Sequence, residues 1–155
     1  MTGCADRRWC AAGIHPTFDS GRTGMFGFLR KKRGASDDKL DPDRAAQFFR
    51  RGDYQEALRR ADAIVKAGPH VGLSWRFRGE CLFSLGRYRE AVESFDKAMS
   101  LGGRGTEEIF LWKALSLYNG GQPEQAKQVI RDFLASGVRS RELVEKAKNA
   151  LAKLG

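Results

Sequence analysis

Two histidines and three cysteines carry most of the nucleophilic and metal-ligating potential of this chain: His15, His70, Cys4, Cys10 and Cys81. Nucleophilic catalysis needs a base within hydrogen-bond reach of a hydroxyl or thiol, and a third group to orient that base. His15 lies in a glycine-rich leader and His70 beside Gly68-Pro69, so neither has the members of a Ser/His/Asp or Cys/His arrangement near it. His70 reads as an exposed turn residue. Cys4, Cys10 and His15 offer ligand types, but their spacing matches no zinc pattern and a fourth ligand is missing. Cys81 adjoins Leu82 in an apolar-periodic segment, where a small buried side chain is the default. Gly102-Gly103-Arg104-Gly105 has no preceding strand and no Lys-Ser/Thr, which makes it a turn between elements rather than a phosphate cradle. The inventory implies no enzyme, no metal and no cofactor.

Aromatics beside arginines, as in Phe48-Phe49-Arg50-Arg51 and Trp75-Arg76-Phe77-Arg78, suggest a second chemistry, the stacking of bases above a phosphate-binding surface. On a helix, however, adjacent residues fall on different faces, so adjacency alone builds no platform. The net charge of +9 permits acidic partners, nucleic acid or anionic lipid without choosing among them.

The elements that position these residues begin near residue 38. Residues 1–37 hold six glycines and no apolar periodicity, so they read as a disordered basic tail with Met25 as an alternative start. Met25-Phe26-Gly27-Phe28-Leu29 precedes its basic residues Arg30 to Arg33 and is broken by glycine, the reverse of a secretory signal. Three cysteines and no signal point to a reducing, cytoplasmic setting. At 155 residues the chain has room for one ordinary domain or a short repeat array. Self-similarity selects the array. Gly52, Gly86 and Gly121 recur 34 and then 35 residues apart, in register with Ala57, Ala91 and Ala126, with Phe48, Leu82 and Leu117, and with Ala45, Gly79 and Ala114. Each unit reads as two apolar-periodic helices around a glycine turn, and the small columns let helix backbones approach closely. Phe95, Ile130 and Ile64 are expected to fill the space toward the next unit. Asp41-Pro42, Thr106, Pro123 and Ser140 are the expected helix starts.

Trp75-x2-Arg78-Gly79-x2-Leu82-x3-Gly86-x-Tyr88-x2-Ala91-x3-Phe95-x2-Ala98 resembles the tetratricopeptide repeat signature. The unit before it places Asp41 where the tryptophan should be, and the unit after it has one inserted residue and Pro123 in place of the turn tyrosine. The resemblance implies an all-α, right-handed helical-repeat solenoid: units at 38–71, 72–105 and 107–140, closed by a capping helix at 141–155. Arg44, Arg78 and Lys113, where the family usually has leucine, read as cations whose stems lie along helix surfaces.

In this family the first helix of each unit lines a concave groove. Carrying those positions over gives Phe49, Arg50, Arg76, Glu80, Phe83, Tyr118 and Asn119 as the candidate peptide-binding residues. Phe49 and Phe83 equally suit packing between repeats. The resemblance therefore implies a non-catalytic scaffold or adaptor whose partner is a protein or peptide with apolar anchors and some acidic residues. The alternative is binding of nucleic acid or an anionic surface through the basic tail and surface arginines, and self-association is left open. The family's clamp for chaperone C-terminal carboxylates uses lysine, asparagine and arginine. The equivalent positions here are Pro42, Ala46, Phe77, Glu108 and Trp112, none of the required type.

Overall fold

The computed structural model describes residues 37–102, 105–138 and 140–154. The basic tail, apart from Asp37, the alternative start at Met25, and the trio Cys4, Cys10 and His15 lie outside the described residues. After a 3-10 turn at Asp37–Leu40 come α1 (Pro42–Arg50), α2 (Tyr54–Ala67), α3 (Gly72–Ser84), α4 (Tyr88–Leu101), α5 (Thr106–Asn119), α6 (Pro123–Ala135) and α7 (Arg141–Leu154). Among the described residues there is no strand, and no helix is long and apolar enough to cross a membrane.

Local chemistry explains most of the helix boundaries. Asp41 caps α1 by accepting the Asp43 N–H at 3.0 Å, ahead of Pro42, whose fixed φ suits the first helical position. Asp53, which the spacing did not single out, does the same for α2 by accepting the Glu56 N–H at 3.2 Å. Pro123 opens α6, and Ser140 Oγ accepts the Leu143 N–H at 3.4 Å ahead of α7. Thr106 departs from expectation: it is the first residue inside α5, and the cap position belongs to Gly105. Between the helices of each pair, Gly52, Gly86 and Gly121 turn the chain with φ of +82°, +75° and +80°, a region that side chains with a Cβ rarely adopt.

Packing follows the chain, each helix lying against its neighbours in sequence, as a stack of helix pairs requires. Two first helices, α3 and α5, have apolar residues around most of their circumference, because each is covered by its own partner and by the pair before it. The aligned columns sit in the core: Ala57, Ala91 and Ala126 are fully buried, as are Ala45, Gly79, Ala114 and Leu82. Phe95 and Ile130 fill the interior of the second and third units, each contributing roughly 1.5–3 kcal/mol through burial. The first unit corrects the expectation for Ile64, which is only half-buried; Ala61 and Val65 occupy the core there. Ala61, not Ile64, stands in register with Phe95 and Ile130.

Candidate functional site: the face of the first helices

Phe49, near the end of α1, meets Tyr54 edge to face with ring centroids 5.1 Å apart, and its ring lies 5.8 Å from Phe77 of α3. The next unit repeats this arrangement. Phe83 of α3 meets Tyr88 at 5.5 Å and Trp112 of α5 at 5.3 Å, both edge to face. Each cluster joins one helix pair to the next, while Phe49 and Phe83 themselves remain half-buried. These two residues thus take part in packing between repeats and still present an edge to solvent. Trp112 is buried and stacks on Phe95 at 6.2 Å, and its Nε1 is the buried side-chain polar atom left without a partner among the described residues.

Between the ring clusters lies a charged one. Arg76 Nε donates to Glu80 Oε1 at 2.8 Å along α3, and the Arg76 guanidinium reaches across to α5, where Nη2 lies 3.0 Å from Glu108 Oε2. Glu80 is 7% exposed; burial pushes its carboxyl above the ordinary carboxylate range, and Arg76 opposes that push. The Glu108 side chain is 45% exposed. Gly105, at φ +80°, lies against the same guanidinium: a Cβ there would come within 2.6 Å of Arg76 Nη1. Arg76 is therefore already committed to two carboxylates of its own chain.

The remaining candidates are spread along the same helices. Arg50 is exposed at the end of α1, and Tyr118 and Asn119 are half-buried at the end of α5. Of the positions equivalent to a chaperone clamp, Phe77 and Trp112 belong to the ring clusters and Glu108 to the ion pair. His70 is exposed in the turn before α3. Cys81 is fully buried, which pushes its thiol well above the ordinary range and leaves it unreactive. Among the described residues no three His, Cys, Asp or Glu side chains are grouped to hold a metal.

Two ion pairs were invisible to the spacing. Arg78 Nε of α3 donates to Asp62 Oδ1 of α2 at 2.6 Å and Nη1 to Ser94 Oγ of α4 at 2.6 Å, with the guanidinium 5.8 Å from the Trp75 ring centre. Lys113 of α5 pairs with Asp96 of α4 at 2.5 Å. The cations expected to lie along helix surfaces instead tie each of these first helices to the second helix of the unit before it.

Helix pairs in register, small residues at the crossings and glycine turns at a fixed phase are matched by two family models, each described as tetratricopeptide repeat, over residues 42–103 and 108–136. The chain belongs to the tetratricopeptide repeat family. Among curated proteins, this tetratricopeptide repeat chain is 37% identical over 59 residues to the small glutamine-rich tetratricopeptide repeat-containing protein 2 of Mycosarcoma maydis. That stretch is 38% of this chain and 17% of the relative, so the match spans less than a fifth of the relative's length. Among solved structures, the second such domain of human RPAP3, determined in complex with the HSP70 peptide SGPTIEEVD, superposes with a TM-score of 0.64 at 21% identity, covering 78% of this chain and 98% of that one. The corresponding domain of Arabidopsis OM64 gives a TM-score of 0.63 at 15% identity, covering 77% and 93%. At these identities the likenesses establish the repeat fold.

Proposed function

We propose that this chain is a non-catalytic interaction module that takes an extended peptide or a helix of a partner protein along the face formed by α1, α3 and α5. The observation that carries the reading is the row Phe49, Phe83 and Tyr118. These are half-buried rings at matching positions of three successive first helices, with charged neighbours Arg50, Arg76 and Glu80. Rings held by their neighbours on one side and open on the other lose little freedom on binding and supply apolar area, as interface anchors do. The similar RPAP3 domain was solved with a peptide, which fits such a role for this face. The chaperone clamp itself is not reproduced, so recognition here rests on apolar anchors flanked by charge.

A displayed peptide library selected against the full chain tests this. Enriched peptides are expected to lose at least about tenfold in affinity on Phe83→Ala and on Tyr118→Ala, with helix content by circular dichroism unchanged. Peptides that bind both variants as well as the parent remove the groove reading. Steeply salt-dependent binding to RNA or anionic vesicles instead moves the function to the basic tail and surface arginines.

A further inference from the structure

The first repeat is open at a place where the other two are closed. At the repeat spacing, Ile64, Ala98 and Phe133 form one column on the second helices, and Asp41, Trp75 and Phe110 form another on the first helices. In the third repeat the two columns meet: the Phe110 and Phe133 rings lie 5.4 Å apart, and Phe133 is fully buried. In the second, Trp75 holds the first-helix position and Ala98 is fully buried. The first repeat has an aspartate there instead of a ring. Its helix also starts late: Pro42 aligns with Arg76, four residues past the start of α3 at Gly72, so α1 lacks the first turn of its counterpart. Ile64, larger than Ala98, is left half-buried. The 3-10 turn that stands in for the missing turn packs against α2, yet its Leu40 is 42% exposed. Val71 adds to the same end. It is 49% exposed, and a Cβ on Gly68 would meet its Cγ2 at 3.6 Å and the Ile64 carbonyl oxygen at 3.8 Å. Because the pair is antiparallel, α1 begins where α2 ends, so Leu40, Ile64 and Val71 share one end of the first helix pair.

Upstream of the described residues the chain carries an apolar cluster of its own, Met25-Phe26-Gly27-Phe28-Leu29. Nine residues lead from Phe28 to Asp37, a reach of up to about 30 Å, against about 8–10 Å between packed helices. Charge agrees with the placement. Arg30, Lys31, Lys32 and Arg33 follow the cluster, and the start of the fold carries Asp37, Asp38, Asp41 and Asp43 against Lys39 and Arg44. A tether this short sets an effective concentration on the order of millimolar, which a separate molecule reaches only when concentrated. We infer that residues 25–29 dock on this end of the first helix pair, a ring of Phe26 or Phe28 covering Ile64 as Phe110 covers Phe133. The basic leader is then a strap that completes the first repeat, with its cations drawn toward the fold's own aspartates. The site is distinct from the face of α1, α3 and α5 and does not depend on what that face binds.

The test is methyl NMR on the full chain labelled at isoleucine, with the Ile64 resonance assigned through Ile64→Val. In the parent the Ile64 δ1 methyl is expected to lie upfield through the ring current of a docked phenylalanine. The double variant Phe26→Ser, Phe28→Ser is expected to move it downfield, while the methyls of Ile109 and Ile130, buried deep in the later repeats, stay in place. Both substitutions lie upstream of the described helices, so helix content by circular dichroism is expected to be unchanged. Urea unfolding supplies a second readout: Ile64→Ala is expected to lower the midpoint more in the parent than in the double variant, because the coupling exists only if ring and isoleucine touch. An Ile64 methyl that does not move in the double variant overturns the docking, and so does an equal cost of Ile64→Ala in the two backgrounds. A shift in the parent that appears only as protein concentration rises makes a second copy the occupant. One that appears only on adding phosphatidylserine vesicles makes it a lipid surface. Either result overturns the assignment to the leader.

Discussion

The second and third repeats use the same column differently. In the third, Ala114 on the first helix and Ile130 on the second are both buried to within 1%. In the second, the small position is Gly79 and the facing one is Phe95, so close that a Cβ on Gly79 would come within 2.6–2.8 Å of three ring carbons. Volume has moved from one helix to the other while the fit is kept. What the two units share is summed volume at the crossing, as close packing demands, and residue type is free within that sum.

Among variants that leave no side chain's site empty, the largest effect breaks this exchange. Gly79→Ala is expected to destabilise by about 1–3 kcal/mol despite alanine's better helix propensity, because a rigid ring must move. Phe95→Ile alone is expected to lose about 1–2 kcal/mol by the cavity it leaves. The double variant, which writes the third repeat's pairing into the second, is expected to lose clearly less than the two losses added. Urea unfolding of the four proteins measures that coupling; strict additivity removes the volume-exchange account.

Next in size is the contrast between the two inter-repeat cations. Arg78 is bonded to Asp62 and Ser94 and lies near the Trp75 ring, whereas Lys113 is paired with Asp96. Arg78→Ala is expected to destabilise by about 1–2 kcal/mol, and Lys113→Ala by at most about 1 kcal/mol. Chemical unfolding of the two variants in high salt sharpens the difference, since salt weakens both ion pairs, which are equally exposed, and leaves Arg78 its hydrogen bond to Ser94.

These contrasts also show where reading the sequence stops. The repeat, its glycine turns and the buried small columns were legible because each is a local steric demand that recurs with the period. The Arg78 and Lys113 pairs were not, because the period aligns equivalent residues and says nothing about which residue of one unit faces which of the next. Ile64 misled for a related reason: a large apolar residue attracts attention, whereas Ala61 holds the register position and Val65 the neighbouring volume. At the candidate site the row of rings followed from the column, but the capture of Arg76 by Glu108 crosses between units 32 residues apart, close to the inserted residue, and had no signal in spacing.

A smaller effect sets Glu80 against Leu115, which occupies the same column one unit later and is also buried. The folded-state pKa of Glu80 is raised, so the native state binds its proton more readily than the unfolded chain does. Its contribution to stability therefore falls as pH rises from the ordinary glutamate range through that raised value. Glu90, Glu124 and Glu142 are held below the ordinary range by Arg87, Lys127 and Lys146, and they act with the opposite sign, losing their contribution as pH falls through their lowered values. In urea unfolding, Glu80→Gln is expected to flatten the decline above the ordinary range and leave the acid limb unchanged. A parallel shift at every pH removes Glu80 as the source.

The smallest effect turns on the two ring clusters, which differ at one residue: Phe77 at the first junction, Trp112 at the second. Trp112 carries an N–H with no acceptor, and a buried donor left unpaired forfeits about 1–3 kcal/mol. Trp112→Phe removes that donor along with some ring area stacked on Phe95, so the gain from losing an unpaired group offsets the loss of contact. The variant makes the second junction chemically like the first and is expected to unfold within about 1 kcal/mol of the parent, whereas Trp112→Ala, which empties the site, loses about 3–5 kcal/mol. A Trp112→Phe loss as large as that of alanine means the indole N–H is hydrogen-bonded within the folded chain, and then the two junctions are not variants of one design.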